Sequence, residues 1–278
     1  MKNLLLITLV LLIGILYSCT EKNSYLLVRG DDMGFSDAAN QASIHAYKNG
    51  IMRSIEVIVP GPKFYEAAAL LKENPGLDVG VHLCLTSEWD NFKWGPLTHA
   101  PSLVDTNGNF VTTEVDLYAA TMDEVEIKNE LRAQIDTALK YIPHISHLST
   151  HMFLPISDKK LNKICNELAL EYDLPVGFGT DYAGNFWSTA PNEKEAELVK
   201  FLKNIKPGIN VFIMHPALDN DETKNIVGTG NDANVRMAIH RQAVTDAITS
   251  EVVKSIVEEK NIKLISYADA YKMEKENL

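Results

Sequence analysis

The chain has 278 residues, with 37 acidic and 26 basic side chains, a formal charge of −11 and a pI near 5.2. Such a surface repels phosphate, which excludes nucleic acid and anionic membrane surfaces as partners and leaves neutral or amine-bearing substrates compatible. The length accommodates one large core, and neither a Pro- or Ser-rich linker nor an internal repeat divides it.

The first element is a targeting segment. Met1-Lys2-Asn3 precedes an apolar run from Leu4 to Tyr17, a basic start and a core too short to span a bilayer comfortably, as in a secretory signal. It ends at Leu16-Tyr17-Ser18-Cys19, which resembles the bacterial lipobox. Cleavage before Cys19 and its acylation are expected. Residues 1–18 would then be a lipoprotein signal peptide, and 19–278 one domain tethered to the cell envelope, facing the periplasm or the surface. Membrane contact is expected only through that lipid. Cys84 and Cys165 are free to bridge or to remain thiols, and no disulfide framework follows from them.

Further along, short β-branched runs at 25–28, 51–59, 77–85, 145–149, 174–178, 209–214 and 262–266 read as strands. Amphipathic stretches at 36–49, 62–73, 122–140, 158–171, 193–204 and 250–259 read as helices, with Ser36 and Asp158 as N-caps and Gly50 as a C-terminal stop. This alternation predicts an α/β fold, a seven-stranded, TIM-like (β/α) barrel with a parallel sheet and outer helices, because closure leaves no exposed edge. Two long segments, 86–121 and 217–239, interrupt the alternation after predicted strands and would lie on the face where such folds build their sites.

Polar residues collect at the ends of these strands: Asp31 and Asp32 after the first, His82 in the third, His147 and His151 around the fourth, and His215 after the sixth. Two adjacent carboxylates resist joint burial unless a cation compensates them. One Asp with two His is a familiar set for one divalent ion that keeps a position open for water. Taken singly, each of these histidines is more often a packed core residue, and Asp-Asp-x-Gly alone is a common turn. Arg29-Gly30-Asp31 is a chance tripeptide, and Gly228-Thr229-Gly230 is no phosphate loop.

Several ordered motifs take the reading further. They are Asp31-Asp32-Met33-Gly34-Phe35-Ser36 with Asn40, Val59-Pro60-Gly61-Pro62, Asp78-Val79-Gly80-Val81-His82-Leu83-Cys84-Leu85-Thr86, Ser87-Glu88-Trp89, Glu130-Leu131-Arg132-Ala133-Gln134-Ile135, His147-Leu148-Ser149-Thr150-His151-Met152, Met214-His215-Pro216 and Leu264-Ile265-Ser266-Tyr267. Together the chain resembles the YdjC-like carbohydrate deacetylases, relatives of the NodB-type polysaccharide deacetylases. The resemblance implies that Asp32, His82 and His151 bind the metal, magnesium or zinc, that Asp31 is the general base and that His215 is a second acid/base or a substrate-orienting residue. The implied substrate is an N-acetylated amino sugar or oligosaccharide. The family's usual His-x-Asp-Ser-His is here His147-Leu148-Ser149-Thr150-His151. Loss of a carboxylate that orients a ligand would weaken metal binding by about 10- to 100-fold.

For Asp31 and Asp32 to reach one pocket, the chain must leave β geometry at that point, and Gly34 and Gly30 are the residues expected to permit it. Trp89, Phe92 and Trp94 either stack on a sugar or pack their loop, and Arg132 is a further candidate for substrate contact. A homodimer is compatible with the chain. Two other readings predict different chemistry. A barrel glycoside hydrolase would need two separated essential acids and no metal, and a lipid-anchored glycan-binding protein would have lost turnover, as the Ser149 departure suggests.

Overall fold

The structure, a computed structural model, describes residues 23–119, 121–153, 158–177, 182–186, 189–228 and 236–276. The signal segment and Cys19 lie outside the described residues. The strands are β1 (Ser24–Met33), β2 (Ser54–Val57), β3 (Asp78–Leu83), β4 (Ile145–Thr150), β5 (Tyr182–Asn185), β6 (Gly208–Met214) and β7 (Lys263–Ile265). The helices are α1 (Asp37–Asn49), α2 (Phe64–Glu73), α3 (Glu114–Ala119), α4 (Glu124–Tyr141), α5 (Lys159–Tyr172), α6 (Lys194–Lys203), α7 (Asp221–Lys224), α8 (Met237–Thr249), α9 (Glu251–Glu259) and α10 (Tyr267–Glu276).

All the strand pairings are parallel, as the alternation predicted. The expected closed ring of seven strands is not what forms. Six strands run β4-β3-β2-β1-β6-β5, and β7 pairs with β1 off that line, so among the described residues the sheet is open. One edge of β1 is shared: β7 takes Tyr25 to Leu27, and β2 takes over at Arg29. A three-residue β7 committed to β1 cannot also join β5 to β4.

The predicted strand at 174–178 is also corrected. Pro175 has no N–H to give a ladder, and there Val176 makes only an isolated bridge to Leu148, while the fifth strand is β5, beside β6. Helices α3, α7, α8 and α10 had no counterpart among the predicted elements. The caps agree with expectation: Ser36 Oγ accepts from Ala39 N, and the Asp158 side chain accepts from Lys160 N and Leu161 N. Cys84 and Cys165 are buried free thiols.

The long segment after β3 is packed onto the core. Trp94, Leu103 and Phe110 are buried with it. Buried Glu130 on α4 accepts from Leu97 N at 3.1 Å and Thr98 N at 2.9 Å, and Gln134 bridges Glu130 to the Cys84 carbonyl at 2.8 Å each. The Glu130–Gln134 motif therefore fastens this segment to the end of β3.

Candidate active site

β1 delivers both carboxylates to one place by breaking its own pleat. The β1–β2 register slips between Gly30 and Met33, a bulge that inserts one extra residue, and Asp32 sits at φ 70. A left-handed aspartate removes the alternation that would otherwise send Asp31 and Asp32 to opposite faces. Gly34 follows at φ 100, with its N–H held by Asn40 Oδ1 at 2.8 Å. The bend at Gly34 is as expected. Gly30 plays a different part: its φ is not positive, and a Cβ there would meet Met52 Sδ at 2.6 Å, so it provides space for packing.

The histidines close around this bulge. His82 Nε2 is 3.6 Å from Asp32 Oδ1 and 3.7 Å from Asp31 Oδ2, and His151 Nδ1 is 3.3 Å from Asp32 Oδ1. His151 is followed by Met152 at φ 55, a kink that ends β4 geometry at this point. His215 Nε2 lies 3.9 Å from Asp32 Oδ2 and 4.0 Å from Asp31 Oδ2. Asp32, His82 and His151 are all buried, and each offers a ligand atom within 4.8 Å of the others. Asp32 Oδ1 is a buried acceptor that receives no hydrogen bond. An anionic oxygen left without a donor and facing two imidazole nitrogens suits a divalent cation bound by mixed oxygen and nitrogen ligands.

Comparison with known proteins gives the family. The family model for YdjC-like proteins matches residues 25–259. The chain belongs to the YdjC-like family. Carbohydrate deacetylase 1 of Listeria innocua serovar 6a is 27% identical to it over 256 residues, spanning 88% of this chain and 99% of the relative. A crystal structure from Enterococcus faecalis V583, of a protein named for cellobiose-phosphate cleavage, aligns with TM-score 0.73 at 24% identity, covering 89% of this chain and 99% of that one. The Xyl-CE4 domain of a multidomain xylanase from the hindgut metagenome of Trinervitermes trinervoides aligns with TM-score 0.52 at 7% identity, covering 91% and 92%. Both structures share the fold.

In this YdjC-like protein the two aspartates have opposite electrostatic surroundings. Burial pushes the Asp31 carboxyl up to about 7, against the pull of Arg29 and with Glu56 and Asp32 adding to the rise. Burial also opposes charge on Asp32, yet His215, Arg241 and His151 together hold its carboxyl well below the usual range. Burial, with His151 and Arg29 adding to it, keeps His82 well below its ordinary value, whereas for His151 burial is outweighed by Cys84, Glu88 and Asp32, which hold it well above its own. Burial likewise lowers His215 to about 3.

Several residues of the site were not singled out from the sequence. Arg29 forks onto Asp31, Nε to Oδ1 at 2.5 Å and Nη2 to Oδ2 at 2.9 Å. Arg241 on α8 donates from Nη2 to Asp32 Oδ2 at 2.8 Å, and its guanidinium lies 5.0 Å from the Phe35 ring centroid and 5.4 Å from that of Trp89. Glu88 Oε2 is 3.1 Å from His151 Nε2. Glu56, fully buried on β2, touches His147 and Ser149. Only Glu56 left a legible signal, as a lone acid within an apolar strand run, where an unpaired charge is rarely buried.

Of the three candidates for substrate contact, Arg132 stands apart from the triad, whereas Trp94 and Trp89 pack against Phe35. Arg132 is on the surface of α4, paired bidentately with Glu171 of α5 at 3.0 and 2.8 Å, and it is not gathered with Asp32, His82 and His151. Trp94 is buried, 6.5 Å from Phe35 and 6.4 Å from His151 between ring centroids, where it packs. Trp89 is half-buried and stacked on Phe35 at 6.4 Å. His147 lies in the sheet, outside the triad, with Nε2 2.7 Å from Glu56 Oε1.

Proposed function

We infer that the protein is a metal-dependent deacetylase that removes acetyl groups from N-acetylated amino sugars or their oligosaccharides. The observation that carries this reading is the meeting of Asp32, His82 and His151 with Asp31 beside them. The substrate class is supported by the relative named carbohydrate deacetylase, which the chain matches over 99% of that protein's length.

When bound by Asp32, His82 and His151, zinc or magnesium supplies a more acidic water and an electrophilic pull on the acetyl carbonyl. Asp31 accepts the proton of the attacking water. Arg29 fixes the plane of its carboxylate, and burial offsets that cation so that Asp31 remains basic enough for the task. His215 is neutral at rest and its Nε2 lies 4.0 Å from Asp31 Oδ2, so it takes over the proton that Asp31 has accepted from the water and passes it to the departing amine. Arg241 engages the outer oxygen of Asp32 and leaves Oδ1 for the cation.

The test is acetate release from N-acetylglucosamine oligosaccharides by the purified protein, with and without chelator and with zinc or magnesium restored. Release that chelation stops and metal restores is the expected result. Release indifferent to chelator, or none from any acetylated sugar, overturns the reading.

We also place the protein in the cell envelope, tethered through Cys19, on the strength of the signal segment and lipobox-like sequence. Cys19→Ser is expected to shift the protein from the membrane fraction to the soluble fraction. A wild-type chain that is already soluble after fractionation would remove the anchor.

A further inference from the structure

The geometry points to Glu56 as a positioning residue for metal binding: its carboxylate, acting through the Ser149 hydroxyl, fixes which nitrogen of His82 faces the site. This rests on the reading of Asp32, His82 and His151 as metal ligands.

Glu56 has no route to solvent and lies in the interior of a parallel sheet. A carboxylate buried there is costly unless it is fully paired. Its partners are His147 Nε2 at 2.7 Å, Arg29 Nε at 3.5 Å and the Ser149 hydroxyl, with which it makes a short contact. Ser149 Oγ is in turn 2.8 Å from His82 Nδ1. Strand register places these groups together. Glu56 pairs with Gly80, Gly80 with His147, and His82 with Ser149. A Cβ on Gly80 would stand 2.1 Å from Glu56 Oε2 and 2.5 Å from His147 Nε2. The glycine leaves a gap in β3 through which the carboxylate of β2 reaches residues of β4.

The direction of the hydrogen bonds follows from counting protons. A carboxylate can only accept, so the single Ser149 hydroxyl proton goes to Glu56. Ser149 Oγ can then only accept from His82, which requires the His82 proton on Nδ1. Nε2 is left with its lone pair, and Nε2 is the nitrogen that faces Asp32 Oδ1 at 3.6 Å. Without Glu56, the hydroxyl is free to donate to Nδ1, the imidazole proton moves to Nε2, and the lone pair needed by a metal is lost. The replacement of a carboxylate by Ser149 therefore leaves His82 with an orienting partner, and the carboxylate behind that partner comes from another strand.

Glu56→Gln is expected to weaken zinc binding by about 10- to 100-fold in chelator competition. In the metal-free protein, long-range nitrogen–proton NMR correlations should move His82 from the Nδ1–H to the Nε2–H tautomer. The double variant Glu56→Gln with Ser149→Asp puts a carboxylate directly against Nδ1 and should restore both the affinity and the tautomer. A merely structural role for Glu56 predicts loss without that rescue and an unchanged tautomer, and either this result or wild-type affinity in Glu56→Gln overturns the proposal. Should Glu56→Gln fail to fold, Ser149→Ala severs the relay while leaving Glu56 paired with Arg29 and His147, and it must then lower zinc affinity and mix the tautomers; an unchanged affinity and tautomer overturn the proposal. A wild-type protein that takes up no zinc or magnesium overturns the metal reading, and the tautomer measurement on the same samples still decides the relay.

Discussion

Asp31→Asn is expected to lower kcat for acetate release by about 10²- to 10⁴-fold, the range lost when a positioned base is removed, with zinc affinity little changed. The substitution keeps the shape of the side chain and removes its ability to take a proton. It also spoils the fork from Arg29, since an amide offers one acceptor where the carboxylate offers two at 2.5 and 2.9 Å. Arg29 is not stranded by this change, because Glu56 remains 3.5 Å from its Nε. The loss should therefore appear in turnover more than in folding. Paired titrations with zinc and assays of acetate release on one preparation, with near-ultraviolet circular dichroism as a check of packing, separate these effects. Near-normal turnover would take the base role away from Asp31, and loss of zinc would make Asp31 a ligand.

The division between what could be read and what could not follows sequence distance and geometry. Asp31, Asp32, His82, His151 and His215 were legible because each stands at a strand end in a polar contrast to its apolar neighbours, and strand ends converge in α/β folds. The bend between the two aspartates was legible from Gly34, but that Asp32 itself carries the positive φ was not, since nothing in the residue type requires it. Arg241 approaches Asp32 from 209 residues away, on α8, and no local pattern announces it. In the sequence Arg29 stands out only within the chance tripeptide Arg29-Gly30-Asp31. It is buried here because two acids, Asp31 and Glu56, need it. Barrel closure failed as an expectation because counting apolar runs does not reveal pairing: the run at 174–178 holds a proline, and β7 spends its three residues on β1.

Asp32→Asn should separate the two carboxylates by the opposite signature. Zinc affinity is expected to fall by more than the roughly 10- to 100-fold that loss of an outer partner costs, and acetate release should fall below detection. Asparagine is the appropriate replacement because the position is left-handed. Asn and Asp enter that region several-fold more readily than other non-glycine residues, whereas Ala would add strain to the loss of charge. The amide oxygen can still accept from Arg241 Nη2, which now sits 2.8 Å from Asp32 Oδ2, so the buried guanidinium keeps a hydrogen bond and the fold is preserved. What disappears is the negative charge at Oδ1, the buried acceptor that no protein donor satisfies and that faces His82 and His151. Calorimetric titration with zinc decides the matter: an Asp32→Asn protein that binds zinc as wild type does would mean that the cation is held elsewhere. Loss of binding here with retention in Asp31→Asn would assign charge neutralisation to one carboxylate and proton transfer to its neighbour. Adjacent acids of the same residue type would then differ in role because a one-residue bulge turns one toward His82 and His151 with Arg241 at its back, and leaves the other in the fork of Arg29.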